Sequence, residues 1–226
     1  MHRVQSFVLF ALFALLAGAD GSIVLAKTRA DPGFSSAVSE RLMDAYSRRF
    51  GPEARTRLQA WKRYAAQRHD SGLSETELLV DVNRTLNRIR FIDDAVHWGQ
   101  ADYWATPAES VGSDGGDCED FAIAKYFLLK ELGIPIAKLR MTYVKALKLN
   151  QAHMVLAYYP RPDAEPLVLD NLEDAVRPAS QRKDLIPVYS FNDEEVWIEA
   201  RGRSGSPRQI RNWNSLMERL ERELRT

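Results

Sequence analysis

Ser113-Asp114-Gly115-Gly116-Asp117-Cys118-Glu119-Asp120-Phe121-Ala122-Ile123-Ala124-Lys125-Tyr126-Phe127-Leu128-Leu129-Lys130-Glu131-Leu132-Gly133-Ile134-Pro135 is the stretch that organises the chain. It starts as a polar, glycine-bearing loop. From Cys118 onward it turns helical, and Phe121, Ala122, Ala124, Tyr126, Leu128, Leu129 and Leu132 leave few positions for solvent. A helix with so little polar face is central and buried. Gly133 is placed to cap its C-terminus, and Pro135 prevents it from continuing. Asp117 suits the N-cap, which puts Cys118 in the first turn. The two glycines before it permit backbone angles that other residues resist and predict a close approach.

Upstream of this stretch the pattern is helical. Ser35 to Phe50 carries Val38, Leu42, Met43 and Tyr46 at helical spacing and stops at Gly51-Pro52. Pro52 to about residue 67 forms a second helix, with Leu58, Trp61 and Tyr64 on one stripe. Ser74 and Glu77 fit a capping box that opens a third, with Leu78, Leu79, Val82, Leu86 and Ile89 on its apolar face. An aromatic loop follows, with Trp98, Tyr103, Trp104 and then Pro107. Downstream, Leu139–Leu147, Ala152–Tyr159, Leu167–Asp170 and Val196–Ala200 read as strands. Arg201–Pro207 reads as a linker, and Ile210–Leu224 as a final amphipathic helix. Helices first and an antiparallel meander after them argue for an α+β domain.

With 226 residues, 45% of them hydrophobic and 27% charged, the chain has globular composition. Lys plus Arg equals Asp plus Glu at 31 each, so no net charge favours nucleic acid or an anionic membrane. A protein or a small molecule is the expected partner. Arg3, the uncharged run Phe7–Ala17 and the small residues Ala17-Gly18-Ala19 have the layout of a secretory signal over residues 1–19, with a later cut near Ala26 as an alternative. An uncleaved membrane anchor is the competing reading, although the apolar run is short for a span. Residues 30–226 are then expected to form one domain.

The chain has one cysteine. A lone free Cys is commonly a buried, inert residue. Its position at a helix start favours the thiolate through unpaired N–H groups and the helix dipole. A nucleophile of this kind needs a base, and the base an orienting group. Of the four histidines, His2 lies in the leader, His69 in a polar turn and His97 in the aromatic loop, while His153 lies inside a strand. A hairpin closed by residues 160–163 pairs Tyr159 with Ala164 and, stepping outward, His153 with Asp170. Opposed residues share a face, so Asp170 can hold the imidazole. A one-residue slip would separate the pair. Asp117, Glu119 and Asp120 beside the thiol oppose a thiolate. They either serve the helix N-terminus or hold a hard cation such as calcium together with Asp114.

Three segments carry a family resemblance: Gly116-Asp117-Cys118-Glu119-Asp120-Phe121-Ala122, Gln151-Ala152-His153-Met154-Val155-Leu156 and Leu167-Val168-Leu169-Asp170-Asn171. In this order, with Trp98–Pro107 upstream, they resemble the bacterial transglutaminase-like cysteine proteinases over about residues 73–200. The resemblance implies a transglutaminase-like, papain-like core whose N-terminal helices pack on an antiparallel sheet, with the nucleophile at the start of the central helix. It implies Cys118 as nucleophile, His153 as base and Asp170 as orienting acid. It also implies Asp117, Glu119 and Asp120 as ligands of a calcium ion. The implied activity is a periplasmic endopeptidase that cuts a large surface adhesin near its N-terminus, at a pair of alanines, and so releases biofilm. The implied partner is an inner-membrane cyclic diguanylate receptor that sequesters the enzyme. The same three residues also serve transglutaminases and peptidoglycan amidases, and a non-catalytic calcium-binding docking module is a further alternative.

Overall fold

The computed structural model describes residues 33–198 and 202–226, so the expected leader lies outside the described residues. The first expected helix is two: α1 (Phe34–Ala37) and α2 (Glu40–Phe50). The break falls at Val38 and Ser39, both extended, where the Ser39 hydroxyl accepts the Leu42 N–H at 3.0 Å. Serine offers the backbone this local bond, so the apolar spacing continues across a new N-cap. α3 (Glu53–His69) and α4 (Glu75–Leu86) follow as expected. The Ser74–Glu77 capping box forms, with the Ser74 N–H donating to Glu77 at 2.9 Å.

The aromatic loop contains two short helices that the sequence reading does not include, α5 (Asp94–His97) and α6 (Pro107–Ser113). α6 has a capping box of its own, Thr106 with Glu109, and proline in its first turn. The polar stretch after it is not a free loop. β1 (Arg90–Phe91) and β2 (Gly115–Gly116) pair in parallel there. The left-handed conformation belongs to Asp114, at φ 54°, and not to the glycines. The glycines are needed for proximity: a Cβ on Gly115 would lie 2.7 Å from the His97 ring, and one on Gly116 2.6 Å from an Asp120 oxygen.

α7 (Cys118–Glu131) is buried from Asp120 through Leu129. It ends at Gly133, φ 92°, with the Ile134 N–H on the Leu129 carbonyl at 3.0 Å and the Gly133 N–H on that of Lys130 at 3.1 Å. This pair of bonds satisfies the last carbonyls of the helix. α7 packs against the sheet on one side and against α1, α4 and α6 on the other. Replacing a fully buried residue such as Leu128 by Ala would cost about 2–5 kcal/mol.

The sheet is antiparallel. Its strands are β3 (Leu139–Ala146), β4 (Gln151–Tyr158), β5 (Leu167–Leu169), β6 (Arg177–Pro178), β7 (Leu185–Phe191), β8 (Val196–Ile198) and β9 (Gly202–Gly205). Their order is β6-β5-β4-β3-β7-β8-β9. β7 is absent from the sequence reading, and its Pro187 lacks the N–H that an inner strand donates. The register shift opposite Tyr143 and Val144 accommodates it. β9 occupies part of the expected linker. α8 (Arg211–Leu224) closes the chain with Trp213, Leu216 and Leu220 buried, whereas Leu224 is exposed.

The β4–β5 register also differs from the expected one. Leu156 pairs with Leu169, Ala157 with Val168 and Tyr158 with Leu167. The connection is longer than four residues, and the pairing moves by two. An even shift preserves the alternation of faces. His153 and Asp170 therefore stay on one face as diagonal neighbours, a separation that an imidazole can span.

Candidate active site

The N-terminus of α7 opens onto a cleft of about 1010 Å³ that Cys118 and His153 line together, with Asp117, Glu119, Trp104, Tyr143 and Met154 among their neighbours. Cys118 is half-buried. Its thiol donates to Glu119 Oε2 at 3.1 Å and receives the Met154 backbone N–H, the residue next to His153. Burial, then the Glu119 and Asp117 charges, push the thiol pKa far up, with the Met154 N–H pulling the other way. The helix start alone therefore does not make this thiol reactive in the presence of bare acids.

His153 Nε2 lies 2.8 Å from Asp170 Oδ1, both residues nearly inaccessible at 3% and 1% exposure. With Nε2 on the carboxylate, Nδ1 is the ring nitrogen left for a proton from the cleft side. Asp170 has further partners. The Leu172 N–H donates to Oδ1 at 3.0 Å and Arg182 Nη2 to Oδ2 at 2.7 Å. Burial would raise its pKa, but the hydrogen bonds from His153, Leu172 and Arg182 together hold it down at about 2. Asp170 is thus a permanent anion able to fix and charge-stabilise an imidazole.

Arg182 was not legible in the sequence. It is buried, and it bridges Asp170 to Asp184, with 2.9 Å from Nη2 and 3.1 Å from Nε to the latter. Nothing marks one Arg among many until the connection between β6 and β7 brings it to Asp170, just after β5. Lys125, on the buried face of α7, is another charge the apolar pattern hides. Burial pushes its pKa down to about 7 against the pull of Asp170 and Asp174. His97 stands apart from the cleft, with Nε2 at 2.8 Å from Ser113 Oγ.

The acids flanking Cys118 are joined by two that sequence reasoning missed, Asp94 and Asp102. Ligand atoms of Asp94, Asp117 and Asp120 lie within 4.8 Å of one another, as do those of Asp94, Asp102 and Glu119, and of Asp117, Cys118 and Glu119. Asp114 is not part of this group; its carboxylate pairs with Arg90 at 3.2 Å. Crowding and burial show in the titration. Burial first and Glu119 next raise Asp117 to about 8, burial raises Glu119 to about 6 and Asp94 to about 6, and Asp120 rises well above the usual range. Asp94 Oδ1 and Asp117 Oδ1 are buried without a hydrogen-bond partner among the described residues. An all-oxygen set with unsatisfied anionic lone pairs fits a hard cation of the calcium type.

A family model described as bacterial transglutaminase-like cysteine proteinase matches residues 55–204. Among solved structures, LapG of Legionella pneumophila is 39% identical, with 80% of this chain and 96% of that chain covered and a TM-score of 0.69. The EGTA-treated form of that protein is 38% identical at a TM-score of 0.70, with 80% and 96% covered. The calcium-bound form is 39% identical at 0.68, with 80% and 98% covered. No curated protein matches.

Proposed function

Because the chain belongs to the bacterial transglutaminase-like cysteine proteinases, we propose that it is a calcium-dependent cysteine endopeptidase with Cys118 as nucleophile, His153 as base and Asp170 as orienting acid. The observation that carries the reading is one cleft containing a helix-start thiol, a histidine held by a buried carboxylate, and a cation-ready acid cluster at the thiol's flanks. Cys118 Sγ loses its proton to His153 Nδ1 and attacks a peptide carbonyl. Asp170 keeps the ring oriented and stabilises its charged form, and His153 returns the proton to the leaving amine. Water then releases the acyl-enzyme. The Cys118 backbone N–H, at the open end of α7, is the natural donor to the developing oxyanion. Asp117, Glu119 and Asp120, with Asp94 and Asp102, would hold calcium. When bound, the ion supplies the positive charge that cancels the acids' opposition to the thiolate.

By the same reading the enzyme is exported to a periplasm, its substrate is the N-terminal region of a large surface adhesin cut at paired alanines, and a cyclic diguanylate receptor restrains it. The apolar N-terminal run supports export. None of the described helices is long and apolar enough to cross a membrane. The test is cleavage of an adhesin N-terminal fragment by the wild type and by Cys118→Ala, with and without EGTA. Cleavage by Cys118→Ala would refute the nucleophile, and cleavage unchanged in EGTA would refute the calcium requirement. An amine donor with a glutamine-rich acceptor separates the transglutaminase alternative, since crosslinks instead of fragments would favour it. Iodoacetamide labelling of Cys118 no faster than a model thiol in the presence of calcium would favour a docking module.

A further inference from the structure

The C-terminal helix lies beyond the residues the family model matches, and the chemistry above does not use it. Its buried face nevertheless carries charge. Trp213, Leu216 and Leu220 enter the core as an amphipathic helix requires. Glu223 enters with them at 8% exposure. A buried carboxylate is costly without partners, and its partners are specific. The hydroxyls of Tyr46 and Thr106 both donate to Glu223 Oε1, the second at 2.7 Å. Thr106 is the N-cap of α6. One turn earlier, Arg219 donates Nη2 to the Trp104 carbonyl, pairs with Glu109 at 3.5 Å and sits 4.4 Å from the centre of the Tyr103 ring. At the start of α8, Asn212 Nδ2 donates to Asp102 Oδ2 at 2.7 Å.

The opposite side of the same segment, residues 102–106, faces the acid cluster. The Tyr103 N–H donates to Asp94 Oδ2, and the Ala105 N–H donates to Asp120 Oδ1 at 2.7 Å. The Trp104 indole N–H donates to Asp102 Oδ1 at 3.0 Å. Asp102, Tyr103, Trp104 and Thr106 are therefore held by α8 on one side, while Tyr103, Trp104 and Ala105 donate to the candidate ligands Asp94, Asp102 and Asp120 on the other. Oxygen ligands are only as well placed as the groups that orient them.

We infer that α8 is a brace for the ion site, with Arg219 and Glu223 as positioning residues that hold Tyr103–Thr106 where its backbone orders Asp94 and Asp120 for a cation. The inference rests on the reading of the acid cluster as a calcium site. Removing the brace lets the segment relax away from the acids, so the loss falls first on calcium affinity.

Calcium titration of the calcium-stripped protein by calorimetry tests it. Arg219→Met and Glu223→Met, which removes the acceptor of the Tyr46 and Thr106 hydroxyls, are expected to raise the calcium Kd by about ten- to a hundredfold. Arg219→Lys, which keeps the charge but loses the fork, falls between them and the wild type. Leu216→Ala loosens the same helix at a fully buried apolar position without touching the brace, and is expected to change the Kd less than threefold. Circular dichroism identifies any variant that fails to fold, in which case the folded brace variants, Arg219→Lys among them, decide. Calcium Kd values within threefold of wild type for the folded brace variants would overturn the inference, as would a Leu216→Ala loss equal to theirs. If the wild type itself takes up no calcium, the calcium reading fails and this inference with it. A wild type that binds alongside variants that bind equally well overturns the brace alone.

Discussion

Arg182→Met removes the ion partner of Asp170 while leaving the His153 side of the carboxylate intact. The drop of the Asp170 carboxyl from 3.8 to about 2 corresponds to roughly 2.5 kcal/mol at 1.36 kcal/mol per unit. Arg182 is one of several donors responsible, but its loss also strands a buried charge. Breaking a buried pair by deleting one member costs about 3–5 kcal/mol. Because His153 and the Leu172 N–H remain on Oδ1, the lower end, about 3 kcal/mol, is the expectation. For a chain of this size 1 kcal/mol moves Tm by about 2–4 °C, which predicts a fall of about 6–12 °C at pH 7. A depressed carboxyl stabilises the fold above its unfolded pKa, and that contribution disappears as pH falls from about 4 towards 2. The gap between wild type and variant should therefore narrow below about pH 4, to roughly half its pH 7 size at a melting pH of 3. Melting curves from pH 3 to 8 measure both. A fall of less than about 2 °C at pH 7 would refute the reasoning, and so would a gap that ignores pH. With the imidazole less firmly oriented, kcat/KM should fall by about ten- to a hundredfold.

Asp170→Asn keeps the shape but loses the anion that fixes the His153 tautomer, and kcat should drop by about 10³–10⁴ with KM little changed. Saturating calcium at about a hundred times its Kd should add about 2.7 kcal/mol of stability, read as a Tm rise of about 5–11 °C that EGTA reverses. Gly116→Ala drives a methyl to within 2.6–2.7 Å of Asp120 Oδ2 and Cβ, so activity at limiting calcium should fall more than activity at saturation. Equal loss at both concentrations would place the damage elsewhere.

The family expectation of fold held because its signals are local and strong. The buried helix from Cys118, its glycine stop and the Ser74 capping box each follow from neighbouring residues. The missed elements had signals that conflicted. Pro187 weakens the strand signal of β7, and α6 is too short for apolar periodicity to mark it, leaving only its Thr106–Glu109 box. The expected register was two residues off, since the length of a turn is set by how the flanking strands pack and not by its turn-forming residues alone. His153 and Asp170 still met because strand faces alternate with a period of two.

The sequence by itself determined the helix-start cysteine, the order of its partners and the acids at its flanks, because each is written in adjacent residues or a short period. Tertiary structure alone decided what surrounds them. Arg182 reaches Asp170 from 12 residues away, Asp94 and Asp102 join the acids of α7 across the aromatic loop, and Arg219 and Glu223 reach Trp104 and Thr106 across 115 and 117 residues. These groups have no pattern along the chain. They are brought together by burial of the apolar faces that carry them, and charges placed in that way acquire meaning only from their neighbours in space.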